Sequence, residues 1–405
     1  MMERRFPKWS EIKPLVKMRA PGIGPEARLA SAASVWDLRD IARKRTPRAP
    51  FDYTDGAADE EISIRRSREA YRRVEWKPRV LRDVSVVDMS TTLLGVPSAM
   101  PVAFAPTGFT RMMQHEGEWA VGRAAERAGI TMALSTLGTA SPEDLATAAP
   151  DLNRWFQLYL FKDRGFSAEL LHRAKANGFS AVILTVDTAI AGLRQRDVRN
   201  GLTVPPSLTV KTLFDMGRHP SWWFNLLTTE PLEFGSFRHS DGTVAELIAH
   251  AFEPTLNWAD IDWLREHWIG PLVIKGIQGV EDAKLAVDHG ADAVIVSNHG
   301  GRQLDRAPTT FELLPDVVDA VGDRIEVYVD GGIMDGADVV AAVAQGAQAA
   351  FVGRAFLYGL MAGGEHGVDR VLELLGAGIE RTLQLLGVTS LADLDRTHFA
   401  IRDRM

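Results

Sequence analysis

The chain of 405 residues contains no cysteine. This absence excludes disulfide bonds, cysteine-ligated zinc, iron–sulfur clusters and thiol catalysis, and it fits a reducing cytosol. No stretch reaches the ~20 consecutive apolar residues that a membrane-spanning helix needs, and the first residues show no apolar signal core. The formal net charge is −7, so no basic field favours nucleic acid, and we expect no nucleic-acid partner.

The composition is that of a soluble globular protein with a sizeable core, since 46% of the residues are hydrophobic and 24% are charged. The N-terminus nevertheless carries a group of basic side chains. We interpret this basic arm as a solvated tail or a subunit contact, and attraction to an anionic membrane surface is the alternative. Its members are Arg4, Arg5, Lys8, Lys13, Lys17 and Arg19.

Eight apolar, strand-like runs alternate with helix-like stretches from about residue 100 onward. Eight such units predict a closed (β/α)8 TIM barrel over residues 100–405. An open doubly wound sheet is the alternative, and the absence of a G-x-G-x-x-G motif after the first run disfavours it. The runs are 101–106, 131–136, 155–160, 181–187, 271–277, 293–299, 326–332 and 349–354.

Two segments stand outside this regular pattern. Residues 1–99 form an extension that packs on the barrel, with predicted helices at 36–45 and 59–71 and short strands within 85–94. An insertion of about residues 195–257 follows the fourth run and is far longer than an ordinary connection. It contains Pro205-Pro206 and an aromatic group at 219–224, and in a barrel it emerges above the site. We expect a lid, a subunit contact or a membrane-interface anchor.

Polar and glycine residues gather where the apolar runs stop, which is where TIM barrels hold their active sites. The glycines after the last two runs, with the guanidinium of Arg354, predict a cradle for a phosphorylated ligand. No cluster points to a metal ion. The strand-end positions are Ala105, Pro106, Thr107, Gly108, Ser135, Gln157, Tyr159, Thr185, Asp187, Lys275, Ser297, Asp330, Gly331, Gly332, Gly353 and Arg354.

The segment Ser-Asn-His-Gly-Gly-Arg-Gln-Leu-Asp at 297–305 is the most informative stretch of the chain. The sixth run ends in an imidazole, that of His299, and the guanidinium of Arg302 comes three residues later. This pattern can hold a substrate carboxylate beside a proton acceptor.

At these residues the chain resembles the FMN-dependent α-hydroxy acid oxidase and dehydrogenase family. The resemblance runs from about Asp37 to the C-terminus and is closest to the bacterial respiratory L-lactate dehydrogenase branch. Its most specific motif is the segment 297–305. The other matching motifs are Phe-Asp-Tyr at 51–53, Ala-Pro-Thr at 105–107, Phe-Gln-Leu-Tyr at 156–159, Leu-Thr-Val-Asp at 184–187 and Val-Ile-Lys-Gly at 273–276.

The resemblance implies a role for each matching residue. His299 is the expected active-site base, and Asp187 is the carboxylate that orients it. Arg302 and Arg194 are expected to grip the substrate carboxylate, while Lys275 stabilises negative charge on the reduced flavin. Tyr53 and Tyr159 are expected to bond the substrate. Polar contacts to FMN are expected from Thr107, Ser135, Gln157, Thr185 and Ser297, with the remaining strand-end residues around the cofactor.

Three positions depart from the family pattern. Met334 replaces an arginine that contacts the cofactor phosphate in many members. Leu137 stands where glycolate oxidase has a tryptophan, which disfavours a glycolate-specific pocket. Gly108 stands where several oxidases have alanine, which slightly favours an acceptor other than oxygen.

The resemblance therefore implies FMN-dependent oxidation of an L-2-hydroxy acid, with L-lactate to pyruvate as the leading reaction. We expect a quinone or another carrier as electron acceptor, and an oxygen-using oxidase or a dehydrogenase of a bulkier acid such as mandelate as the alternatives. A flavin-dependent isomerase and a non-catalytic barrel are the other classes, which the intact set of catalytic-type residues disfavours. We also expect a homo-oligomer, a homotetramer by analogy, in the cytoplasm, with peripheral attachment to the inner face of the cell membrane left open.

Overall fold

The structure is a computed structural model that describes residues 5–14, 24–201, 215, 217–237 and 253–402. Its centre is a closed barrel of eight parallel strands, numbered here in chain order. Each strand pairs with its sequence neighbours and the eighth pairs with the first, so the barrel has no free edge. The strands are β1 Val102–Phe104, β2 Thr131–Ser135, β3 Arg154–Leu158, β4 Ala181–Thr185, β5 Leu272–Ile277, β6 Ala293–Val296, β7 Glu326–Asp330 and β8 Ala349–Val352.

The barrel strands are almost completely buried, and only Glu326 is partly exposed. Continuous apolar strands are typical of parallel sheets that are covered on both faces. Inside the barrel, the rings of Trp155, Tyr328 and Phe351 lie with their centroids 5.5–5.7 Å apart. The interior is therefore packed rather than hollow.

Helices follow the strands and form the outer layer, which confirms the predicted (β/α)8 TIM barrel. Two of them begin with a capping box, in which Ser141 and Asp335 accept hydrogen bonds from the third residue of their own helix. The last helix changes direction at Gly363 and Gly364. The main outer helices are Gly117–Arg127, Pro142–Ala148, Arg164–Ala176, Ala259–His267, Val280–Asp288, Thr310–Val321, Gly336–Ala344 and Arg354–Leu386, with a short helix Thr110–Met113 after β1.

The N-terminal extension is helical, as predicted, and packs on the barrel. Its predicted second helix begins three residues late, because Asp59 and Glu61 adopt positive φ angles of 46° and 59°. Sequence reasoning missed the helix Arg48–Asp55, which carries Tyr53. The helices of this region are Trp9–Ile12, Pro25–Ala30, Val35–Arg45, Arg48–Asp55 and Ile62–Arg72.

Two small antiparallel pairs and four 3-10 turns complete the described elements. Thr91–Leu93 lies within the region 85–94 of predicted short strands, and it pairs with Val96–Ser98, just beyond that region. Val74–Trp76 pairs with Phe399–Ile401 and so ties the extension to the C-terminus. The 3-10 turns are Gly235–Phe237, His299–Gly301, Leu391–Asp393 and Arg396–His398.

One described part of the long insertion after β4, residues 217–237, contacts the segment that follows β1. The described helices of the insertion are Gln195–Asn200 and Pro220–Leu227. Trp222 donates a hydrogen bond to the carbonyl of Met113 at 3.1 Å, and buried Arg111 donates to the carbonyl of Glu230 at 2.7 Å. The predicted Pro205-Pro206 element lies outside the described residues. No helix in the described ranges has the length and hydrophobicity needed to cross a bilayer.

Candidate active site

A cavity of about 1330 Å³ opens at the carboxyl ends of the barrel strands. Four predicted residues lie behind its wall and contact the lining: Gln157, Thr185, Asp187 and Ser297. The other predicted residues line it directly: Tyr53, Ala105, Pro106, Thr107, Gly108, Ser135, Tyr159, Arg194, Lys275, His299, Arg302, Asp330, Gly331, Gly332, Gly353 and Arg354. The fold thus brings together residues that are up to 301 positions apart in the sequence, from Tyr53 to Arg354.

His299 occupies a tight turn three residues beyond the end of β6. Its backbone is left-handed, with φ 56°, and its N–H donates to the hydroxyl of Ser297 at 3.1 Å. The ring Nδ1 lies 3.0 Å from Oδ1 of Asp187. The side chain of His299 is 23% exposed, whereas that of Asp187 is only 1% exposed. Asp187 therefore orients the imidazole through Nδ1, and His299 also lines the cavity.

Asp187 is suited to stabilise a protonated imidazole. Burial works to raise its pKa, but the proximity of His299 and of Lys275 outweighs burial and holds the pKa below its ordinary value. The carboxylate therefore stays ionised at neutral pH. Its second oxygen, Oδ2, is buried and has no hydrogen-bond partner among the described residues.

Lys275 places a buried positive charge on β5, beside this pair. Its Nζ donates to the Ser297 hydroxyl at 2.9 Å and lies 3.2 Å from Oδ2 of Asp330. Burial works to lower the pKa of Lys275, but Asp330 and Asp187 outweigh burial and raise the pKa above its ordinary value. The ammonium group is therefore a fixed cation at the floor of the cavity.

Two guanidinium groups converge on the ring of Tyr53. The central carbon of Arg302 lies 4.6 Å from the ring centroid and that of Arg194 lies 5.5 Å from it. Arg194 is held by Asp197, which accepts from its Nε at 2.7 Å. Arg302 donates to the Tyr53 carbonyl but forms no ion pair with any described residue.

Arg302 is unusually receptive to an anion. Burial lowers its pKa to about 10, and the nearby positive charges of Arg194 and Arg354 add to the effect. A guanidinium keeps its proton in proteins, so Arg302 is a cation with no ion-pair partner among the described residues. A substrate carboxylate placed here would supply that counter-ion.

Tyr159 completes the wall between the base and the guanidinium groups. Its side chain is buried, and burial raises its pKa, with Asp187 and Tyr53 adding to the shift. The phenol therefore keeps its proton at neutral pH and can donate a hydrogen bond to a bound oxygen atom.

Several buried polar atoms around the cavity fit the edge of a ring system such as that of FMN. The Gln157 side chain accepts from the Ser135 hydroxyl at 3.0 Å through Oε1. Its Nε2, Oγ1 of Thr185 and Oδ1 of Asp330 are buried without a partner among the described residues. Buried polar atoms are rarely left unsatisfied, so these atoms match a ligand with donors and acceptors along its edge.

Another part of the cavity lining has the features of a phosphate cradle. Gly331 and Gly332 have φ angles of 92° and 85°, which only glycine adopts readily. The helix Arg354–Leu386 begins directly after Gly353, so its N-terminal N–H groups are available to an anion. Arg354 uses three of its five N–H donors on the carbonyls of Thr54, Gly56 and Gly300. The other two N–H groups have no acceptor in the described part of the chain and can donate to a phosphate.

Sequence reasoning missed two residues of this site. Arg68 donates to the Gly332 carbonyl and pairs with Asp338 at 2.5 Å, so it brings positive charge to the cradle beside Met334. Gln303, on the loop after β6, donates to the carbonyl of Asp187, on the loop after β4, at 3.1 Å. Both contacts join segments that are distant in sequence. Gln303 lies within the motif 297–305, but no local pattern shows which groups its side chain contacts.

A model of the FMN-dependent dehydrogenase family matches residues 42–401. A Mycobacterium tuberculosis protein, provisionally named L-lactate dehydrogenase, is 50% identical over 98% of this chain and 96% of its own length. The L-lactate dehydrogenase of Caulobacter vibrioides is 41% identical over 91% of this chain and 98% of its own.

A solved structure described as the monotopic membrane protein (S)-mandelate dehydrogenase is also similar. It superposes with a TM-score of 0.89 at 36% identity, over 92% of this chain and 100% of its own.

Proposed function

Because the chain belongs to the FMN-dependent dehydrogenase family, we propose that it oxidises L-lactate to pyruvate through the residues described above. The observation that carries the proposal is the position of the His299–Asp187 pair beside the buried guanidinium of Arg302. The His299–Asp187 pair accepts a proton, and Arg302 binds a carboxylate. Oxidation of a 2-hydroxy acid requires a group for each of these tasks.

The cofactor of the family is FMN, which when bound would accept the two electrons and one of the two protons that the hydroxy acid loses, while the other proton goes to His299. The residues of this chain fit that group. The unpartnered atoms of Gln157, Thr185 and Asp330 would hold its ring system. Gly331, Gly332 and the N-terminus of the helix Arg354–Leu386 would hold its phosphate. Lys275 would neutralise negative charge that develops on the ring.

Side chains of the protein bind and orient the substrate. Arg302 and Arg194 grip its carboxylate, and Tyr159 donates to one of its oxygen atoms. His299 takes up one proton, and Asp187 stabilises the imidazolium that results. Asp187 and Tyr159 are buried, so solvent screens their electrostatic contacts only weakly.

L-lactate is favoured as the substrate by the names of two relatives at 41–50% identity. L-mandelate is the second candidate, because the (S)-mandelate dehydrogenase superposes closely and Leu137 at the cavity leaves more room than a tryptophan would. Reduction of bound FMN under anaerobic conditions by L-lactate, L-mandelate and glycolate separates the candidates. Faster reduction by L-mandelate than by L-lactate would assign L-mandelate as the substrate and would leave the proposed reaction type unchanged.

The electron acceptor we propose is a quinone or another carrier, with the enzyme held at a membrane surface. The helix Pro220–Leu227 has no buried residue, and Phe224 and Leu227 are 57% and 68% exposed. An exposed apolar helix face is typical of an interfacial anchor, and the superposed (S)-mandelate dehydrogenase is described as monotopic. Reoxidation of the reduced FMN with a quinone and with air tests the electron acceptor. Sedimentation with anionic vesicles tests the attachment to a membrane surface. Rapid reoxidation by air alone, or no co-sedimentation, would contradict them.

A further inference from the structure

The catalytic groups of this site sit on two different loops. His299 and Arg302 belong to the loop after β6, whereas Asp187 and Arg194 belong to the loop after β4. The base and its carboxylate partner are thus on separate loops, and so are the two guanidinium groups. Their geometry depends on how the two loops are joined.

The side-chain amide of Gln303 joins these loops through three hydrogen bonds. Its Oε1 accepts from the N–H of Gly192 at 3.0 Å. Its Nε2 donates to the carbonyl of Asp187 at 3.1 Å and to the carbonyl of Ile190 at 2.9 Å. One side chain from the β6 loop therefore holds the β4 loop at its start, its middle and its end.

A close backbone approach at Gly192 supports the same junction. A Cβ atom at this position would lie 2.3 Å from the carbonyl oxygen of Arg302 and 2.8 Å from Cα of Gln303. The two loops therefore touch through their backbones, and only glycine allows that distance. The backbone of Arg302, whose guanidinium faces the cavity, is part of this contact.

Apolar side-chain burial contributes little to holding the β4 loop in place, although the polar side chain of Thr188 is buried. Ile190 is 72% exposed and Leu193 is 57% exposed. The Leu193 carbonyl accepts from the N–H of Asp59 at 2.8 Å, which fixes one further point of the loop. Segments with little apolar burial open readily, so the amide contacts of Gln303 are the principal restraint between Asp187 and Gly192.

We infer that Gln303 is a positioning residue, which sets the separation of His299 from Asp187 and of Arg302 from Arg194. It touches neither reacting group. Loss of its hydrogen bonds frees the β4 loop, and displacement of about 1 Å in such a site costs on the order of a hundredfold in rate. The inference rests on the proposed function for its catalytic consequence, whereas the junction itself can be tested without any substrate.

The test uses the FMN-loaded protein and two matched substitutions. Gln303→Met keeps the length of the side chain and removes all three hydrogen bonds. Gln348→Met is the control, since the Gln348 amide also bridges two segments, through Thr91 at 3.0 Å and Thr92 at 2.8 Å, at the other end of the barrel. The rate constant for reduction of FMN by L-lactate, the substrate dissociation constant and the FMN dissociation constant are measured for each.

We expect Gln303→Met to slow FMN reduction at least tenfold and to weaken substrate binding by a smaller factor, because Arg302 stays on its own loop. The FMN dissociation constant should change less than twofold. Gln348→Met should leave all three quantities near those of the unaltered protein. Reduction within twofold of normal in Gln303→Met, or an equal loss in Gln348→Met, would overturn the inference.

Hydrogen–deuterium exchange tests the junction independently of the reaction. Exchange in the segment that contains the Gly192 N–H should accelerate in Gln303→Met and remain unchanged in Gln348→Met. Gly192→Ala, which pushes the loops apart from the other side, should have a similar effect on reduction, and the double variant should be little slower than either single one. Additive losses of the reduction rate in the double variant, or unchanged hydrogen–deuterium exchange at Gly192 in Gln303→Met, would refute the junction between the two loops. Failure of L-lactate to reduce the unaltered protein, with accelerated exchange in Gln303→Met, would instead contradict the proposed function alone.

Discussion

The contact between His299 and Asp187 allows the most direct estimate of a catalytic contribution. Asp187→Asn keeps the size of the side chain and removes its charge. The distance from Nδ1 to Oδ1 is 3.0 Å and the Asp187 side chain is 1% exposed, so solvent screens the interaction weakly. A hydrogen bond to a charged group contributes about 1.5–3 kcal/mol. At about 1.4 kcal/mol per factor of ten, we expect FMN reduction to slow by roughly tenfold to a hundredfold.

The measurement is the rate constant of anaerobic FMN reduction at saturating L-lactate in a stopped-flow instrument. Asp262→Asn is a matched control, because Asp262 contacts His289 at 3.2 Å on the protein surface, away from the cavity. The control should reduce FMN at the normal rate. A reduction rate for Asp187→Asn within twofold of normal would refute the assignment of this carboxylate as the partner of the base.

Three further substitutions test other parts of the site. Arg302→Met should raise the substrate dissociation constant by roughly tenfold to a hundredfold, since it removes a charge-assisted contact; unchanged binding in a titration would contradict the carboxylate clamp. Lys275→Met should lower the unfolding free energy by about 3–5 kcal/mol, because Asp330 is left buried without its cation, and denaturant titration measures this loss. Asp305→Ala should lower the melting temperature at pH 7, because its carboxylate accepts from three backbone N–H groups, among them that of Ser63. Burial works to raise the pKa of Asp305, but these bonds outweigh burial and hold the pKa below its ordinary value. The stability that the bonds contribute is present above the pKa of the unfolded chain and is lost as the pH falls through the folded pKa. The difference in melting temperature should therefore shrink in acid.

The barrel could be predicted because each of its strands is a short apolar run that ends in polar or glycine residues. The predicted run 326–332 contains the observed strand Glu326–Asp330 and the two glycines that follow it. The spacing of apolar residues and the residue types at the end of each run are local properties, so they can be read from the sequence directly.

Features that depend on contacts between distant segments could not be predicted. The backbone N–H of Ile62, at the start of the helix Ile62–Arg72, donates to the carboxylate of Asp305, which lies 243 residues further along the chain. The helix Arg48–Asp55 begins after Pro47 and contains Pro50, so its local pattern is weak. The bridging role of Gln303 and the pairing of Arg68 with Asp338 likewise exist only once the loops have met.

The central claim is that His299 removes a proton from a 2-hydroxy acid held by Arg302. Its most direct test is anaerobic reduction of bound FMN in the unaltered protein and in His299→Ala. We expect L-lactate to bleach the flavin absorbance of the unaltered protein. The variant should retain FMN and bind the acid, but it should not be reduced. Near-normal single-turnover reduction in His299→Ala would contradict the account.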